Sequence, residues 1–559
     1  MPPGVANPGN HAPLVAAATY TENVVIDEAT PLVSVVVYND SEQKEAIHPV
    51  CRDLPFAIIF AVHAAVILWL GIFTAPKGFD QLQFNATSIE EEIRKGDDVT
   101  DEDLQEFKQF VTAAIEYVQV YPLRIVLYVV IPCCLLAYVF GAISTAFVIK
   151  PCPHVVVYGC LISSVAMVTM LMSMSAIASG STFVYGLTIL AIGASIYYVS
   201  VVWKTVPFAA VNLKIAVEAL GRNSGMYFVA FCFAELGFAW VLFWIYVVVG
   251  TSAFQNHKCT LEHPNSNFDM GSDDYNSVCD PPGLVIIFFL LSLYWTNTII
   301  LNTVQVTVAG VMATWCFDKT EADGCCSRAI HGSVYRSLTY SFGSICFGSL
   351  LQAIVSVFRY LVESARNQRA RDDDSVCGAM LLCILECLAR LLEDILEYFN
   401  QWAYVFVGVY GYSYLESGRR VMELFRAKGF TSIITNSLVG YVLGFTQFAV
   451  ALLTGAAGVA LEALITNGHS GYIEDGESYV FGPLPAAPLA FGVSFVVGLW
   501  IASVMMNVLK GAVNTLIVCW ADNPAVMEIQ HPTLMKEMTD AWSGVFSSIP
   551  SVGGPAVIV

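Results

Sequence analysis

A stretch of 35 residues, Gly283–Phe317, contains no charged side chain. Its first part is apolar enough to lie in lipid, and a helix of about 20 apolar residues crosses a bilayer. Its middle carries aromatic and amide side chains: Tyr294, Trp295, Asn297, Asn302 and Gln305. Amides at membrane depth are costly and usually face other helices or a water-filled path. The stretch therefore predicts a membrane-spanning helix that forms one wall of a binding site.

The composition of the whole chain also favours a membrane location. Of the 559 residues, 56% are hydrophobic and only 13% are charged. A soluble protein of this length cannot bury so much apolar surface, because single cores stop growing at a few hundred residues. We therefore predict an all-α polytopic membrane protein in contact with the lipid bilayer. The formal net charge of −20 argues against nucleic acid as a partner and against a polybasic lipid-binding surface.

Apolar runs long enough to span a membrane recur about ten times. They cover residues 54–74, 123–149, 155–177, 182–203, 226–250, 283–317, 338–360, 398–414, 431–464 and 484–509. We expect residues 1–53 to form a disordered cytosolic tail, 54–510 a transmembrane transporter domain, and 511–559 a cytosolic C-terminal tail. Residues 377–398, between the seventh and eighth spans, have the pattern of an amphipathic helix.

The charges between these spans predict the orientation of the chain. Basic residues cluster on one side, which is then cytosolic: Lys150, Lys204, Lys214, Arg222, Lys319, Arg328, Arg336, Arg419, Arg420, Arg426 and Lys428. The acidic loops 74–122 and 251–283 fall on the extracellular side. The first of them contains Asn85 in a glycosylation sequon. Both termini are then expected in the cytosol, whereas the basic segment 359–371 falls outside and departs from the rule.

The sixteen cysteines do not indicate a metal site. Most lie inside apolar runs, where they behave as small hydrophobic residues, and no spacing fits zinc. Cys259 and Cys279 both lie in the loop 251–283, where a disulfide is favoured over two free thiols. The sequence contains no nucleophile elbow, phosphate-binding glycine loop or HExxH motif. We expect no metal, no cofactor and no enzymatic activity.

Glu235 is the most unusual side chain of the fifth span. A carboxylate at such depth is rare, costly and usually functional. The alternative is a protonated carboxyl group that bonds a neighbouring helix. Trp240 follows at helical spacing and is either an aromatic face for a ligand or an ordinary packing or interfacial residue.

Further aromatic and amide side chains complete the candidate substrate-binding set: Tyr294, Trp295, Asn297, Asn302, Tyr404 and Tyr410. The asparagines either bond a substrate hydroxyl or tie helices together, and the tyrosines form either an aromatic wall or an interfacial belt. A buried carboxylate among Trp and Tyr suits a small organic cation. A quaternary ammonium group donates no hydrogen bond, so cation–π contacts and negative charge must recognise it.

Three stretches resemble the choline transporter-like family of solute carriers, which includes choline and ethanolamine transporters of the plasma membrane and a fungal branch. They are N-T-V-Q-V-T-V-A-G at 302–310, followed by A-T-W; S-F-G-S-I-C-F-G-S-L at 341–350; and 383–416, which contains L-E, F-N, A-Y and V-Y-G. The run C-W-A-D-N-P at 519–524 is most similar to the fungal or protist branch. Gln305 and Cys316 depart from the family pattern, in which His and Tyr are usual.

The resemblance implies about ten transmembrane helices, cytosolic termini and a glycosylated first extracellular loop. It also implies a glycoprotein of the plasma membrane, or of another endomembrane, that transports choline or a related small organic cation. The mechanism would be alternating access or facilitated diffusion. The alternative is a non-transporting membrane protein, such as a lipid-binding scaffold or trafficking factor. Polar residues that line one continuous cavity would favour the transporter.

Overall fold

The computed structural model describes residues 51–80, 123–262, 283–372, 376–428, 433–469, 478–482 and 485–543. These residues are almost entirely helical, and among them the single β-bridge joins Ser478 to Gly482. The prediction of an all-α polytopic membrane protein is confirmed.

We number the helices in chain order. They are α1 (Leu54–Asp80), α2 (Leu123–Ala146), α3 (Pro153–Ser179), α4 (Thr182–Val202), α5 (Val206–Arg222), α6 (Gly225–Glu262), α7 (Gly283–Phe317), α8 (Arg328–Leu338), α9 (Phe342–Asp372), α10 (Val376–Tyr410), α11 (Tyr414–Lys428), α12 (Ile433–Gly468), α13 (Ala486–Asp522), α14 (Pro524–Gln530) and α15 (Pro532–Ser543). Within the described ranges, nine are long and apolar enough to cross a membrane: α1, α2, α3, α4, α6, α7, α9, α12 and α13.

The α10 helix differs from the sequence-based expectation of an amphipathic helix followed by a span at 398–414. One continuous helix covers both segments and ends at Tyr410, because Gly411 adopts a left-handed conformation with φ of 69°. Tyr414 therefore begins the next helix. The first half of α10 exposes a stripe of apolar side chains at helical spacing: Met380, Leu381, Ile384, Leu388, Leu391, Leu392 and Ile395. This stripe suits contact with lipid, so α10 can lie among the spans despite its charges.

The α7 helix lies at the centre of the bundle and packs against α6, α9, α10 and α13. Two glycines permit close helix contact. A Cβ at Gly408 of α10 would lie 2.5 Å from the Val306 carbonyl oxygen, and one at Gly310 would lie 2.6 Å from the Ser333 hydroxyl of α8. Burial lowers the pKa of the nearby Arg336 guanidinium to about 10, so this side chain stays charged at neutral pH.

The start of α1 is tied to two other helices through Asp53. Its Oδ2 accepts hydrogen bonds from the Ser344 hydroxyl at 2.6 Å and from the Tyr414 backbone N–H at 3.0 Å. These donors lie at the starts of α9 and α11, where backbone N–H groups have no partner within the helix. One carboxylate thus holds the ends of three helices together.

The C-terminal part of the chain packs against the end of α7. The described bundle extends beyond the expected boundary at residue 510, because α13 continues to Asp522 with most of its last turns buried. The His531 ring stacks on Trp315 at 3.9 Å between centroids, and its Nε2–H donates to the Trp315 carbonyl oxygen at 2.8 Å. Burial lowers the pKa of His531, so the neutral ring is favoured in this contact.

We expect Gly408→Ala to destabilise the bundle by about 1–3 kcal/mol, the cost typical of an overpacked core. The added methyl group would clash with a backbone carbonyl, which cannot move aside like a flexible side chain. Thermal unfolding of the purified protein in detergent measures the effect. Gly440→Ala in α12 is the matched control, because a Cβ there meets no atom within 4 Å. Equal melting temperatures for the two variants would contradict the close α7–α10 contact.

Candidate functional site

A polar face runs along α9. Its members recur every three, four or seven residues and lie on one side of the helix: Ser349, Gln352, Ser356, Arg359 and Arg366. The facing side of α10 carries a second set with similar spacing: Glu386, Glu393, Asn400 and Tyr404. We call these two sets together the polar seam. It joins two antiparallel helices over most of their length.

The charged members of the polar seam are paired. Glu386 is bonded by Arg366 and by Arg390, the latter at 2.6 Å, and its side chain is only 8% exposed. Arg359 binds Glu393 one to two turns further along. Isolated charges in an apolar bundle would be strongly unfavourable, whereas paired charges with hydrogen bonds can be accommodated. These ion pairs therefore let α9 and α10 carry charge between apolar helices.

The seam ends in a buried group that we call the amide–hydroxyl cluster: Asn302, Ser349 and Tyr404. The Asn302 amide nitrogen donates to the Ser349 hydroxyl at 2.9 Å and to the Tyr404 hydroxyl at 3.1 Å. The two hydroxyl oxygens lie 3.4 Å apart. Tyr404 is completely buried. The cluster thus joins α7, α9 and α10 and uses both amide hydrogens of Asn302.

An aromatic wall lies one to two turns along α7 from this cluster. We define it as Trp295 of α7 with Phe60 and His63 of α1, whose ring centroids lie 5.3 and 5.2 Å from that of the indole. The Trp295 N–H donates to the Cys346 carbonyl oxygen at 3.0 Å, which fixes the ring. Both nitrogens of His63 are buried without a hydrogen-bond partner among the described residues. A buried imidazole without a partner marks this wall as a place where a polar group would be stabilised.

The structure brings together three of the candidate residues from the sequence. Trp295 and Tyr404 belong to the same buried cluster between α1, α7, α9 and α10, and Asn302 is hydrogen-bonded to Tyr404. Tyr294 borders it and lies within electrostatic range of Arg359 and Glu393 of the polar seam. These four side chains form a coherent candidate site.

Glu235 and Asn297 lie on another side of α7. Glu235 of α6 interacts with Cys134 of α2, and one of its carboxylate oxygens is buried without a hydrogen-bond partner in the described part of the chain. The Asn297 amide nitrogen donates to a backbone carbonyl of its own helix at 3.0 Å, while its Oδ1 lies 3.7 Å from the position of a Cβ on Gly237. Trp500 of α13 also packs there. Glu235 thus faces α2 and Asn297 faces α6 and α13, and we call the region around this part of α6 the second polar location.

Trp240 and Tyr410 lie apart from both locations. Trp240 packs with Phe243 and Phe289 in a separate apolar cluster near α1. The Tyr410 hydroxyl donates to Asp522 Oδ2 at 3.0 Å, which joins the ends of α10 and α13. Their contacts are those of packing and helix-joining residues, so the eight candidate residues do not form one pocket.

Two other predictions concern side chains that the structure does not describe. Asn85 and Cys279 lie outside the described residues, and only the helical backbone of Cys259 is described. The glycosylation site and the disulfide remain predictions.

Sequence reasoning missed the polar seam as part of the site. The topology expected from the sequence placed Arg359 and Arg366 in an extracellular segment. It placed Glu386 and Glu393 in an amphipathic helix. The signal that could have revealed them is the shared spacing of polar residues from Ser349 to Arg366, which places the arginines on the same face as the serines and Gln352.

We expect Tyr404→Phe to destabilise the protein by about 1–3 kcal/mol, because the change leaves a buried donor of Asn302 without its acceptor. Thermal unfolding in detergent measures the loss. Tyr197→Phe on α4 is the control, since that side chain is 72% exposed. If both variants have the melting temperature of the wild-type protein, the amide–hydroxyl cluster does not contribute to the stability of the bundle.

Comparison with known proteins bears on the resemblance seen in the sequence. The sequence model of the plasma-membrane choline transporter family matches residues 185–525. This range contains the candidate site and the second polar location, except for the side chains that α1 and α2 contribute to them. The chain is 29% identical over 340 residues to protein PNS1 of Gibberella zeae, a match that covers 61% of this chain and 59% of that protein.

Other fungal relatives give similar values. Protein PNS1 of Mycosarcoma maydis is 27% identical over 348 residues, which cover 62% of this chain and 61% of the relative. Protein PNS1 of Saccharomyces cerevisiae is 25% identical over 346 residues, with the same coverage of 62% and 61%. The chain thus spans about three-fifths of the length of the curated relatives it matches. With a family match over more than half of its residues, the chain belongs to the plasma-membrane choline transporter family.

Proposed function

We propose that the protein moves choline or a related small organic cation across the membrane, by alternating access or facilitated diffusion. The observation that carries this proposal is the amide–hydroxyl cluster beside the aromatic wall, at the end of the polar seam. Aromatic faces attract a quaternary ammonium group, and the Asn302 amide and Tyr404 hydroxyl suit a substrate hydroxyl. Family membership agrees with this chemistry.

The burial of the site supports a mechanism with a conformational change. Trp295 is 3% exposed and Tyr404 is fully buried, so a ligand reaches them only when helices separate. The α1 helix is a suitable moving part, because it supplies Phe60 and His63 to the wall and is fastened at its start through Asp53. A site that opens only transiently is the basis of alternating access.

Glu235 would act at a different point of the path. It faces α2, whereas Trp295 faces α1 and α9, so the carboxylate and the aromatic wall would contact the cation in succession. Its carboxylate oxygen without a partner is available to a ligand charge. In this proposal Asn297 lies beside the same route, and Trp240 and Tyr410 support the surrounding helices.

We extend the proposal to location and processing. The family description supports action at the plasma membrane. The distribution of basic residues supports both termini in the cytosol and the loops 74–122 and 251–283 outside. Glycosylation of Asn85 and a Cys259–Cys279 disulfide would then follow from exposure of these loops.

A second candidate function is a non-transporting scaffold or trafficking factor. The observation that favours it is the dense packing of Trp295, Asn302 and Tyr404, each of which is less than 10% exposed. Transport requires these helices to separate so that a ligand can reach the site, whereas a scaffold does not. Uptake by the purified protein separates the two.

Vesicles reconstituted with the purified protein should accumulate radiolabelled choline faster than empty vesicles. We expect Trp295→Leu to lower this uptake at least about tenfold, because it removes the main aromatic face of the wall. Trp69→Leu is the control, since this tryptophan of α1 is 56% exposed on the outside of the bundle. Uptake no faster than that of empty vesicles would overturn the choline assignment and leave the scaffold.

Glu235→Gln should lower choline uptake, because the variant keeps the shape of the side chain and removes its charge. Initial rates in the same vesicles test this. Cys232→Ser, one turn earlier on the exposed side of α6, controls for a general effect on that helix. Wild-type uptake by Glu235→Gln would exclude the carboxylate from the path.

A further inference from the structure

One ion pair in the bundle differs from those of the polar seam. Glu397 of α10 and Lys510 of α13 face each other, with 3.5 Å between the ammonium nitrogen and Oε1. Along their helices they lie about 20 Å from Tyr410 and about 18 Å from Asp522, the two residues that join the helix ends. Both charges therefore lie well away from these helix ends.

The side chain of Glu397 points away from the apolar stripe of α10 and is 63% exposed. At about 100° per residue, Glu397 lies on the side of α10 opposite that stripe and on the same side as Glu386, Glu393 and Tyr404. Its exposed carboxylate therefore lies beside Lys510 of α13, and its accessible surface marks a space next to these two helices.

Gln305 of α7 lies next to the Glu397–Lys510 ion pair. The Gln305 side chain of α7 donates to the Gln401 carbonyl oxygen at 3.1 Å and lies 3.8 Å from the position of a Cβ on Gly511, so it closes the gap between α10 and α13. Asn514, one turn along α13 from Lys510, is fully buried, and neither of its amide atoms has a hydrogen-bond partner among the described residues. An unsatisfied amide of this kind indicates a location that a polar ligand or water would stabilise.

The other two carboxylates on this side of α10 are held more firmly. Glu386 is 8% exposed between two arginines, and Glu393 is 27% exposed and bonded by Arg359. Among the described residues, Glu397 has one charged partner, Lys510, at 3.5 Å, and exposed pairs of this type contribute little to stability. Of the three, Glu397 is the carboxylate that can exchange its partner at the lowest cost.

We propose that Glu397 is a binding site for a small organic cation and that Lys510 is its resident counter-ion, which the cation displaces. The proposal rests on the proposed transport of such cations. A quaternary ammonium group that enters the space takes the place of the ammonium group, and the flexible Lys510 stem turns away. When the cation leaves, Lys510 returns and neutralises the carboxylate. The lysine thus favours release and prevents tight capture of the substrate.

Tetramethylammonium tests this step in the purified full-length protein, because it carries the charge of the proposed ligand without a hydroxyl group. The measurement is the rise of the melting temperature with tetramethylammonium concentration. We expect Lys510→Met to lower the half-saturating concentration about fivefold, since it removes the competing cation and keeps the apolar stem. Glu397→Gln should raise it at least about tenfold, and the double variant should behave like Glu397→Gln.

Two controls accompany the variants. Lys510→Arg keeps the charge and should keep the half-saturating concentration within about twofold, which excludes an effect of any change at this position. Glu423→Gln breaks a surface pair on α11, where Arg419 is bonded at 2.8 Å, and should leave the response unchanged. If Lys510→Met does not fold, Glu397→Gln alone decides, because a wild-type response in that variant overturns the proposal.

Choline uptake by vesicles separates this inference from the proposed function. Wild-type uptake together with unchanged tetramethylammonium curves in Lys510→Met and Glu397→Gln would overturn the role of the pair and leave transport standing. Absence of uptake, with a tetramethylammonium response that Glu397→Gln removes, would retain the cation site and overturn transport. A KM for choline that falls in Lys510→Met, together with a lower maximal rate, is the result expected if both hold.

Discussion

The pairing of charges along α9 and α10 is the interaction on which the rest of the structure depends. The Glu386 and Glu393 side chains, 8% and 27% exposed, would be unfavourable between apolar helices without Arg366 and Arg359. As ion pairs, these side chains give α9 and α10 polar sides that face each other. The apolar stripe of α10 then remains available for contact with lipid. The bundle thereby contains a polar contact between two helices that wholly apolar helices could not form.

The same requirement explains the side chains of α7. Asn302 satisfies its amide with Ser349 and Tyr404, and Gly310 brings α8 close enough for Ser333 to meet α7. The run at 302–310 that resembles the family pattern therefore has a physical role in joining helices. In this static arrangement its amides tie helices together, and they become substrate contacts only if the bundle opens, as our proposal for transport requires.

The two carboxylates that we assign to a cation differ in their surroundings. Glu235 lies between α2 and α6 with a carboxylate oxygen that no described residue bonds, whereas Glu397 is 63% exposed and shares its charge with Lys510. In our proposal, a path with two such points would pass a cation between sites of moderate affinity. Moderate affinity at each point favours turnover, because tight binding of a substrate slows its release.

The sequence by itself determined the helices, the membrane setting and the family, because hydropathy and local runs of residues are properties of neighbouring positions. The end of α10 at Gly411 is also a local feature of the sequence. Its left-handed conformation is seen only in the structure, where the helix ends before the expected end of the eighth span. Only the tertiary structure decided which polar residues meet. Glu397 and Lys510 are 113 positions apart, and Asn302 and Tyr404 are 102 apart. Trp295 and Asn297 are near neighbours in the sequence, yet they point to different sides of α7, because successive residues on a helix are rotated by about 100°.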